Sequence, residues 1–152
     1  LVREEGKVFV LLSGDMNHMK DINDHFGHLA GDEAICRMGR ALQIVSRQGM
    51  IPVHISGDEF IAYGLADSER KAEEIIPLVN SELKKINEED PWLCDISASL
   101  GVYAAVPAEG DSIDSFMTRA DRAMYEEKNR YKYGRRKEDF DELLNKSKSP
   151  EP

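Results

Sequence analysis

The sequence predicts one domain of the mixed α/β (α+β) class. Its 152 residues suit a single hydrophobic core, because chains usually divide into domains only above about 250 residues. Hydrophobic residues make up 41% of the chain, enough to fill that core, and charged residues make up 32%, which leaves a polar surface. The hydrophobic pattern changes several times between a period of two and a period of about 3.6 residues, which is typical of strands mixed with helices.

The elements are expected in the order strand, two helices, hairpin, helix, strand and helix. The first strand is predicted from Lys7 to Gly14, an apolar run that ends in glycine. Apolar residues at helical spacing then predict an amphipathic helix from Asp32 to Arg47, whose opposite face carries polar residues such as Arg37. This helix is expected to pack on the sheet.

A hairpin and a helix follow. The hairpin strands are predicted at Ile51–Ile55 and Phe60–Tyr63, separated by the turn-type sequence Ser56-Gly57-Asp58-Glu59. An apolar helical face predicts the next helix from Ser68 to Ile86. Pro77 lies inside it, so we expect a kink or a break at that point.

The last third of the chain adds a strand and a helix. Strict alternation of apolar residues from Asp95 to Ala104 predicts a half-buried strand. Apolar residues at helical spacing predict a final helix from Ser115 to Lys128. We therefore assign residues 1–134 to the domain and expect residues 135–152 to form a polar, frayed tail.

Charge and hydropathy exclude several partners. The net charge of −9 repels nucleic acid and anionic lipid. The longest apolar run, Val8 to Leu12, is too short to span a bilayer, so no membrane contact is expected of this piece. Cys36 and Cys94 lack metal-binding spacing and are expected to be small core residues in a reducing, cytoplasmic compartment. A start at Leu1 indicates an excised domain, with a sensory domain expected upstream.

Acidic residues follow the first strand and fill the hairpin turn. Asp15 lies just beyond the apolar run, and Asp58 and Glu59 lie in the turn. If the strands are neighbours these carboxylates converge, and hard oxygen ligands select Mg²⁺ or Mn²⁺. The alternative is that they are ordinary turn residues. An EF-hand is a poor fit, because Met19 and Lys20 stand where a ligand and a glycine are needed.

The segment from Lys20 to Asp32 is unusually polar and rich in glycine. Asn23 and Asp32 offer an amide and a carboxylate, a combination that suits guanine. The alternative is that they are helix caps, particularly Asp32 at the head of the next helix. His25 and His28 have no cysteine or carboxylate at zinc-finger spacing, so capping or base contact is favoured over zinc.

Four motifs in order resemble the GGDEF family of diguanylate cyclases. They are DMNHMKDINDHFGHLAGD from Asp15 to Asp32, SGDEF from Ser56 to Phe60, SLGV from Ser99 to Val102, and RADRAMYEEK from Arg119 to Lys128. The resemblance covers roughly Val8 to Lys132, and the signature departs from GGDEF at its first position. It implies a central, mainly antiparallel sheet flanked by helices, similar to the catalytic core of adenylyl cyclases.

The resemblance also implies roles for individual residues. Asp15 and Asp58 match the acidic residues that bind two Mg²⁺ ions, together with the backbone carbonyl of Met16. Asn23 and Asp32 match the guanine-binding pair. The remaining substrate contacts are implied for His28 beside the base, for Lys20, Lys128 and Lys132 at the triphosphate, and for Ser56 and Gly57 in the turn that approaches the phosphates.

The implied reaction joins two GTP molecules into cyclic di-GMP with loss of two pyrophosphates. The 3′-hydroxyl of one GTP attacks the α-phosphate of the other, and Asp58 is the expected base, with Glu59 assisting. Each domain holds one GTP and the product is two-fold symmetric, so a second copy of the domain is the expected partner. A lone monomer should be inactive.

Several positions depart from the family pattern. Ser56 replaces the first glycine of the signature, Asn17 stands where a second acidic residue is more common, and His54 where an arginine often precedes the signature. The window of the inhibitory product site, Arg47 to Met50, lacks the aspartate of the family's Arg-x-x-Asp motif, so inhibition there is expected to be lost. An active cyclase, a silent GTP-binding or dimerisation domain, and a cyclase acting on another nucleotide therefore all remain open.

Overall fold

The computed structural model describes residues 6–134 and 139–145. Within them the chain forms a sheet flanked by helices in the predicted order, except that the helix after the hairpin is divided in two and a short helix is added near the end. The strands are β1 (Val8–Met16), β2 (Ile51–Ser56), β3 (Glu59–Ala66) and β4 (Ala98–Ala105). The helices are α1 (Met19–Phe26), α2 (His28–Leu42), α3 (Glu69–Glu73), α4 (Ile75–Glu89), α5 (Ile113–Gly134) and α6 (Asp139–Leu143), with a 3₁₀ helix at Gln43–Gln48.

The four strands form one sheet in the order β2-β3-β1-β4. All neighbouring strands are antiparallel, which confirms the predicted fold class. β1 is central, and all nine of its residues are buried. The unbroken apolar run from Val8 to Leu12 is explained by this position, because a strand covered on both faces needs apolar residues at successive positions rather than at alternate ones.

Alternate residues of β1 supply two separate hydrophobic clusters. Val10 and Leu12 belong to the larger core, which includes buried residues of α2 and α4. Phe9 and Leu11 contribute to a smaller cluster with buried residues of α5. Because successive side chains of a strand point to opposite faces, α5 covers one face of the sheet and the other helices cover the opposite face.

The approach of α5 to the sheet depends on Gly101 of β4. A Cβ atom at this position would lie 2.2 Å from the backbone nitrogen of Met124 and 2.6 Å from the carbonyl oxygen of Ala120. The glycine of the SLGV motif thus lets the helix backbone rest directly on the strand. At 22 residues α5 exceeds its predicted length, but no helix in the described ranges has the length and hydropathy needed to cross a membrane.

The second helix begins earlier than the sequence indicates. α2 starts at His28 after Gly27, whose φ of 95° is readily adopted by glycine and separates α1 from α2. Asp32 therefore lies in the second turn, and the prediction that it could cap this helix is wrong. The prediction for Arg37 is also wrong, because its guanidinium is buried over the ring of Trp92 and donates to the carbonyl of Asp90 at 2.7 Å.

The expected interruption near Pro77 occurs three residues earlier. α3 ends at Glu73 and α4 begins at Ile75, which places Pro77 in the first turn of α4. Proline is tolerated there, because the first N–H groups of a helix have no intrahelical acceptor. Because the helix is interrupted between α3 and α4, Pro77 occupies a position where its missing N–H group costs no helical hydrogen bond.

Part of the predicted tail packs against the domain. α6 lies within it, Phe140 is buried, and the N–H of Asp95 donates to the carbonyl of Leu143 at 2.9 Å. This segment is therefore packed rather than frayed, because its apolar side chain reaches the core. Residues 135–138 and 146–152 of the tail lie outside the described residues.

The two cysteines lie in different environments. Cys94 is buried, and burial raises the pKa of its thiol to about 12, as suits a small core residue. Cys36 is exposed on α2, which corrects the expectation that both cysteines belong to the core. Both thiols are free.

Candidate functional site

The candidate site lies at the end of the sheet where β1 meets the β2–β3 turn. Asp15 pairs in register with Glu59 of β3 and Ser99 of β4. The next residue, Met16, donates its backbone N–H to the carbonyl of Asp58 at 3.0 Å. The turn is thereby fastened to the end of β1, which brings the Asp15 and Asp58 carboxyl groups together.

Asp15 is a buried carboxylate at the centre of this arrangement. Only 8% of the residue is exposed, and its Oδ1 atom has no hydrogen-bond partner among the described residues. Burial raises the pKa of Asp15 to about 6; the hydrogen bond from Lys128 opposes this rise, and the neighbouring Asp58 carboxyl adds to it. A buried acceptor atom without a donor is a position at which a cation would be stabilised.

Lys128 brings a positive charge to the same point from α5. Its Nζ atom lies 2.9 Å from Oδ2 of Asp15 and donates to the carbonyl oxygen of Met16 at 3.0 Å. Only 17% of its side chain is exposed. The ammonium group therefore bridges two of the oxygen ligands that the sequence predicts for metal.

A cavity of about 460 Å³ opens beside this cluster. Its lining includes five of the predicted site residues: Met16, Lys20, Asp58, Lys128 and Lys132. The cavity thus has carboxylate and carbonyl oxygens at one side and three lysines around it. That combination can hold a divalent cation together with a polyphosphate.

The other two lysines of the cavity are exposed. Lys20 donates to Oδ2 of Asp24 at 2.7 Å, and the Asp24 carboxylate raises the pKa of this lysine. Lys132 lies four residues after Lys128 on the same face of α5. Both long side chains can therefore turn toward an anion in the cavity with little loss of packing.

Ser56 and Gly57 lie at the exposed tip of the hairpin and do not line the cavity. Gly57 has a φ of 49°, which glycine adopts without strain in a two-residue hairpin turn. His54 stabilises this turn, since its Nε2 atom donates to the carbonyl of Gly57 at 2.8 Å and its ring stacks on Phe60. In the family an arginine is often found at this position.

The residues predicted to contact guanine lie on α1 and α2, outside the cavity lining. Asn23 is half-buried against Gly31, where a Cβ atom would lie 1.9 Å from its Oδ1 atom. His28 and Asp32 are exposed and four residues apart, so they share one face of α2. The structure therefore places Asn23 of α1 against the turn of α2 that carries His28 and Asp32. We call these three residues the α1–α2 ridge, which is separate from the cavity lining.

Asn17 has a structural position of its own. Its side chain is buried, with Oδ1 accepting from the Ser99 hydroxyl at 2.8 Å and Nδ2 directed to the Ser97 hydroxyl at 3.2 Å. A carboxylate could not supply the donor atom of this pair. Asn17 therefore ties the end of β1 to the start of β4 instead of adding a second acidic group.

The described residues contain no group of three or more histidine, cysteine or acidic side chains arranged to hold a metal. His25 and His28 are both exposed. A cation at the strand end would therefore rely on Asp15, Asp58 and the carbonyl of Met16, and on oxygen atoms from outside the protein.

His18 and Tyr131 form a contact that sequence reasoning missed. His18 has a φ of 62°, the one positive value at a non-glycine position in the described chain. Its Nδ1 atom donates to Oδ2 of Asp21 at 2.9 Å, and its Nε2 atom lies 2.6 Å from the hydroxyl of Tyr131. These bonds offset the strain and join the β1–α1 connection to α5. The available signal was that Tyr131 lies one helical turn beyond Lys128.

On the other side of the strand end, acidic groups surround Tyr125. The Ser13 hydroxyl donates to the carboxylate of Asp121. Partial burial raises the pKa of the Tyr125 phenol, and the carboxylates of Glu59, Asp121, Asp15 and Asp58 raise it further. The strand end is therefore a region of negative potential, against which Lys128 is placed.

Comparison with known proteins identifies relatives of the whole domain. A family model described as "Diguanylate cyclase, GGDEF domain" matches residues 1–133. Diguanylate cyclase VdcA of Vibrio cholerae is 34% identical over 128 residues, which cover 82% of this chain and 37% of VdcA. The chain therefore spans little more than a third of the length of that relative.

Solved structures show the same fold. A sensory box/GGDEF family protein from Caulobacter crescentus matches with a TM-score of 0.66 and 28% identity, over 82% of this chain and 80% of that one. The active GGEEF domain of a diguanylate cyclase from Vibrio cholerae matches with a TM-score of 0.66 and 26% identity, over 80% of this chain and 77% of that one.

Proposed function

Since the chain belongs to the GGDEF family of diguanylate cyclase domains, as its motifs indicate, we propose that it condenses two GTP molecules into cyclic di-GMP and releases two pyrophosphates. The observation that carries the proposal is that the carboxyl groups of Asp15 and Asp58 are neighbours beside a cavity lined by Lys20, Lys128 and Lys132. Carboxylates that converge next to lysines suit a metal-assisted reaction of a polyphosphate.

The donor set fits Mg²⁺ or Mn²⁺. Asp15, Asp58 and the carbonyl of Met16 are hard oxygen ligands, and Oδ1 of Asp15 has no donor among the described residues. Mg²⁺ is typically held by one or two carboxylates while phosphates and water complete its shell, so a small protein contribution is sufficient. Bound there, the ion would stabilise charge on the reacting phosphate and make the attacking hydroxyl more acidic.

The protein side chains would position the substrate around that centre. Lys128 and Lys132 lie on one face of α5 and would bind the triphosphate, and Lys20 would reach it from α1. Asn23, His28 and Asp32 would hold the guanine on the α1–α2 ridge. Ser56 and Gly57 would lie over the phosphates from the hairpin tip, where backbone N–H groups can approach closely.

We assign the proton transfer to the hairpin. Asp58 is half-buried beside Asp15 and would accept the proton of the attacking 3′-hydroxyl, with the exposed Glu59 assisting. Because one domain has one such site and the product is two-fold symmetric, two copies must face each other. An upstream segment that receives a signal would control this pairing. We place the reaction in the cytoplasm, where its proposed substrate GTP is found.

A domain that binds GTP without turning it over is the alternative, serving as a regulatory or dimerisation module. Ser56 favours it, because a hydroxymethyl group replaces hydrogen where the family's signature has glycine. The residue is exposed at the hairpin tip, so phosphate bound there would meet this group.

The deciding experiment uses the chain fused to a dimeric coiled coil, supplied with GTP and Mg²⁺, with the products separated by chromatography. We expect cyclic di-GMP, formed faster by a Ser56→Gly variant if the hydroxymethyl group crowds the phosphates. Absence of product from both proteins while each still binds GTP would overturn the cyclase and leave the regulatory module. A cyclic product from ATP alone would indicate a different nucleotide substrate.

A further inference from the structure

Lys128 lies where a divalent cation would need to bind. Its Nζ atom is 2.9 Å from Oδ2 of Asp15 and 3.0 Å from the carbonyl oxygen of Met16, two of the three groups proposed to hold the metal. A metal ion at the other oxygen of the same carboxylate, Oδ1, would lie within a few ångströms of this ammonium group, and the two positive charges would repel each other in a poorly hydrated site. The metal therefore binds more easily when the ammonium group has moved away.

The ammonium group is well placed to neutralise the acidic groups at the strand end. The side chains of Lys128 and Asp15 are 17% and 12% exposed, so water screens the pair weakly. Without this cation, a buried carboxylate would face the second carboxyl group of Asp58 with no compensation. The lysine thus relieves repulsion that a metal ion would otherwise have to relieve.

The same ammonium group has a second place to go. Lys128 lines the cavity proposed for the triphosphate, together with Lys20 and Lys132. The backbone of α5 is held on β4 at Gly101, so a side-chain rotation is the movement required. Phosphate oxygens are strong acceptors for ammonium groups, so hydrogen bonds to phosphate can replace the ion pair between Lys128 and Asp15.

We propose that Lys128 is an internal counter-ion that blocks the cation site of the empty protein and moves onto the phosphates when a nucleotide binds. The inference rests on the proposed function for the identity of the nucleotide. Metal binding and nucleotide binding then support each other, since each becomes easier once the lysine has moved, and such coupling is reciprocal. The empty protein binds the metal weakly because of its own lysine.

The test measures Mn²⁺ binding to the 152-residue chain without nucleotide, by the electron paramagnetic resonance signal of free Mn²⁺. We expect Lys128→Gln to bind Mn²⁺ about tenfold more tightly than the unmodified protein, since a positive charge leaves the ligand oxygens. Lys132→Gln is the matched control, because it removes the same charge from the same cavity at an exposed residue. It should change Mn²⁺ affinity less than about twofold.

A second measurement separates this role from a merely structural one. In the presence of a chelator, Lys128→Gln should weaken the binding of fluorescently labelled GTP, although it strengthens Mn²⁺ binding. Damage to the fold would weaken both. Adding Asp15→Asn to Lys128→Gln should remove the gain in Mn²⁺ affinity, which would locate the gain at this carboxylate.

The proposal is overturned if Lys128→Gln binds Mn²⁺ no more tightly than the unmodified chain or than Lys132→Gln. Lys128→Met, which keeps the apolar stem, repeats the test if the glutamine variant fails to fold as judged by circular dichroism. Neither measurement involves turnover. A protein that makes no cyclic di-GMP can therefore still confirm the counter-ion, and an active cyclase can still refute it.

Discussion

The two halves of the candidate site are built differently. At the strand end, Asp15 is fixed by strand pairing with β3, Met16 by a backbone hydrogen bond to Asp58, and Lys128 by an ion pair with Asp15. On the α1–α2 ridge, His28 and Asp32 are exposed. The strand end therefore has its charges in place before a ligand arrives, whereas the ridge presents groups that can adjust to one. We expect substitutions at the strand end to change chemistry and stability, and those on the ridge to change affinity.

The largest effect is expected from Asp58→Ala. Cyclic di-GMP formation should fall by more than about a hundredfold, the scale of losing one charge-stabilising group from an active site. The fold should persist, because a turn carboxylate contributes little to the core. The measurement is initial rate at saturating GTP and Mg²⁺, with the thermal midpoint as the control. Unchanged turnover would place the metal and the base elsewhere.

The ionisation of Asp15 should make the free energy of unfolding of the protein depend on pH. Its pKa in the folded protein, about 6, lies above the ordinary value of 3.8. The folded state therefore holds the proton more tightly than the unfolded state, and stability should fall as pH rises from about 4 to about 6. The loss is at most about 3 kcal/mol, since one pKa unit corresponds to about 1.4 kcal/mol.

Urea unfolding in this pH range, without divalent cations, measures the effect. An Asp15→Asn variant cannot titrate at this position, so its free energy of unfolding should lack this component of the slope. Equal pH dependence of the two proteins would show that burial of Asp15 does not reduce the stability of the folded protein. The strand end would then not differ from the ridge in this respect.

Gly101→Ala should show how far the strand end depends on α5. The added Cβ atom would meet backbone atoms at 2.2 and 2.6 Å, which cannot rotate away. We expect a loss of about 1 to 3 kcal/mol in the free energy of unfolding. Gly39→Ala is the matched control, since a Cβ atom there meets nothing within 4 Å and the residue is helical, so the protein should gain up to about 1 kcal/mol.

On the ridge, Asp32→Ala should weaken GTP binding by about tenfold, the scale of one lost charged hydrogen-bonding group. Binding of ATP, whose base lacks the guanine N1–H and amino group that a carboxylate accepts from, should change little. Cys36→Ser, one turn further along α2 and also exposed, serves as the control. Equal losses for GTP and ATP would mean that Asp32 acts on the shared parts of the nucleotides.

The smallest effect is expected where the two halves meet. Tyr131→Phe removes the hydroxyl that lies 2.6 Å from His18 but keeps the ring, so stability should fall by about 1 kcal/mol. Because His18 precedes α1, GTP affinity should fall with it while the fold remains intact. Chemical unfolding and GTP titration on the same samples measure both quantities. Lower stability with unchanged affinity would show that the halves are independent.

Much of this architecture could be predicted from local sequence. The buried strand, the hairpin and the final helix follow from hydrophobic spacing, and the acidic turn lies within the hairpin that local chemistry specifies. The approach of Asp15 to Asp58 follows once β1 and β3 are neighbours. Predictions failed where a distant partner decided the outcome: Trp92 and Asp90 bury Arg37, and packing on the domain orders α6 around Phe140.

The sequence by itself determined which chemical groups this protein has and the order of the elements that carry them, because hydrophobic periodicity and turn residues act over a few neighbours. Tertiary structure alone decided that Lys128 meets Met16, 112 positions away, and that His18 meets Tyr131. Such pairs depend on how α5 rests on the sheet at Gly101. The sequence shows that α5 carries a lysine, but the contact of that lysine, Lys128, with Asp15 is decided by how the helix packs on the sheet.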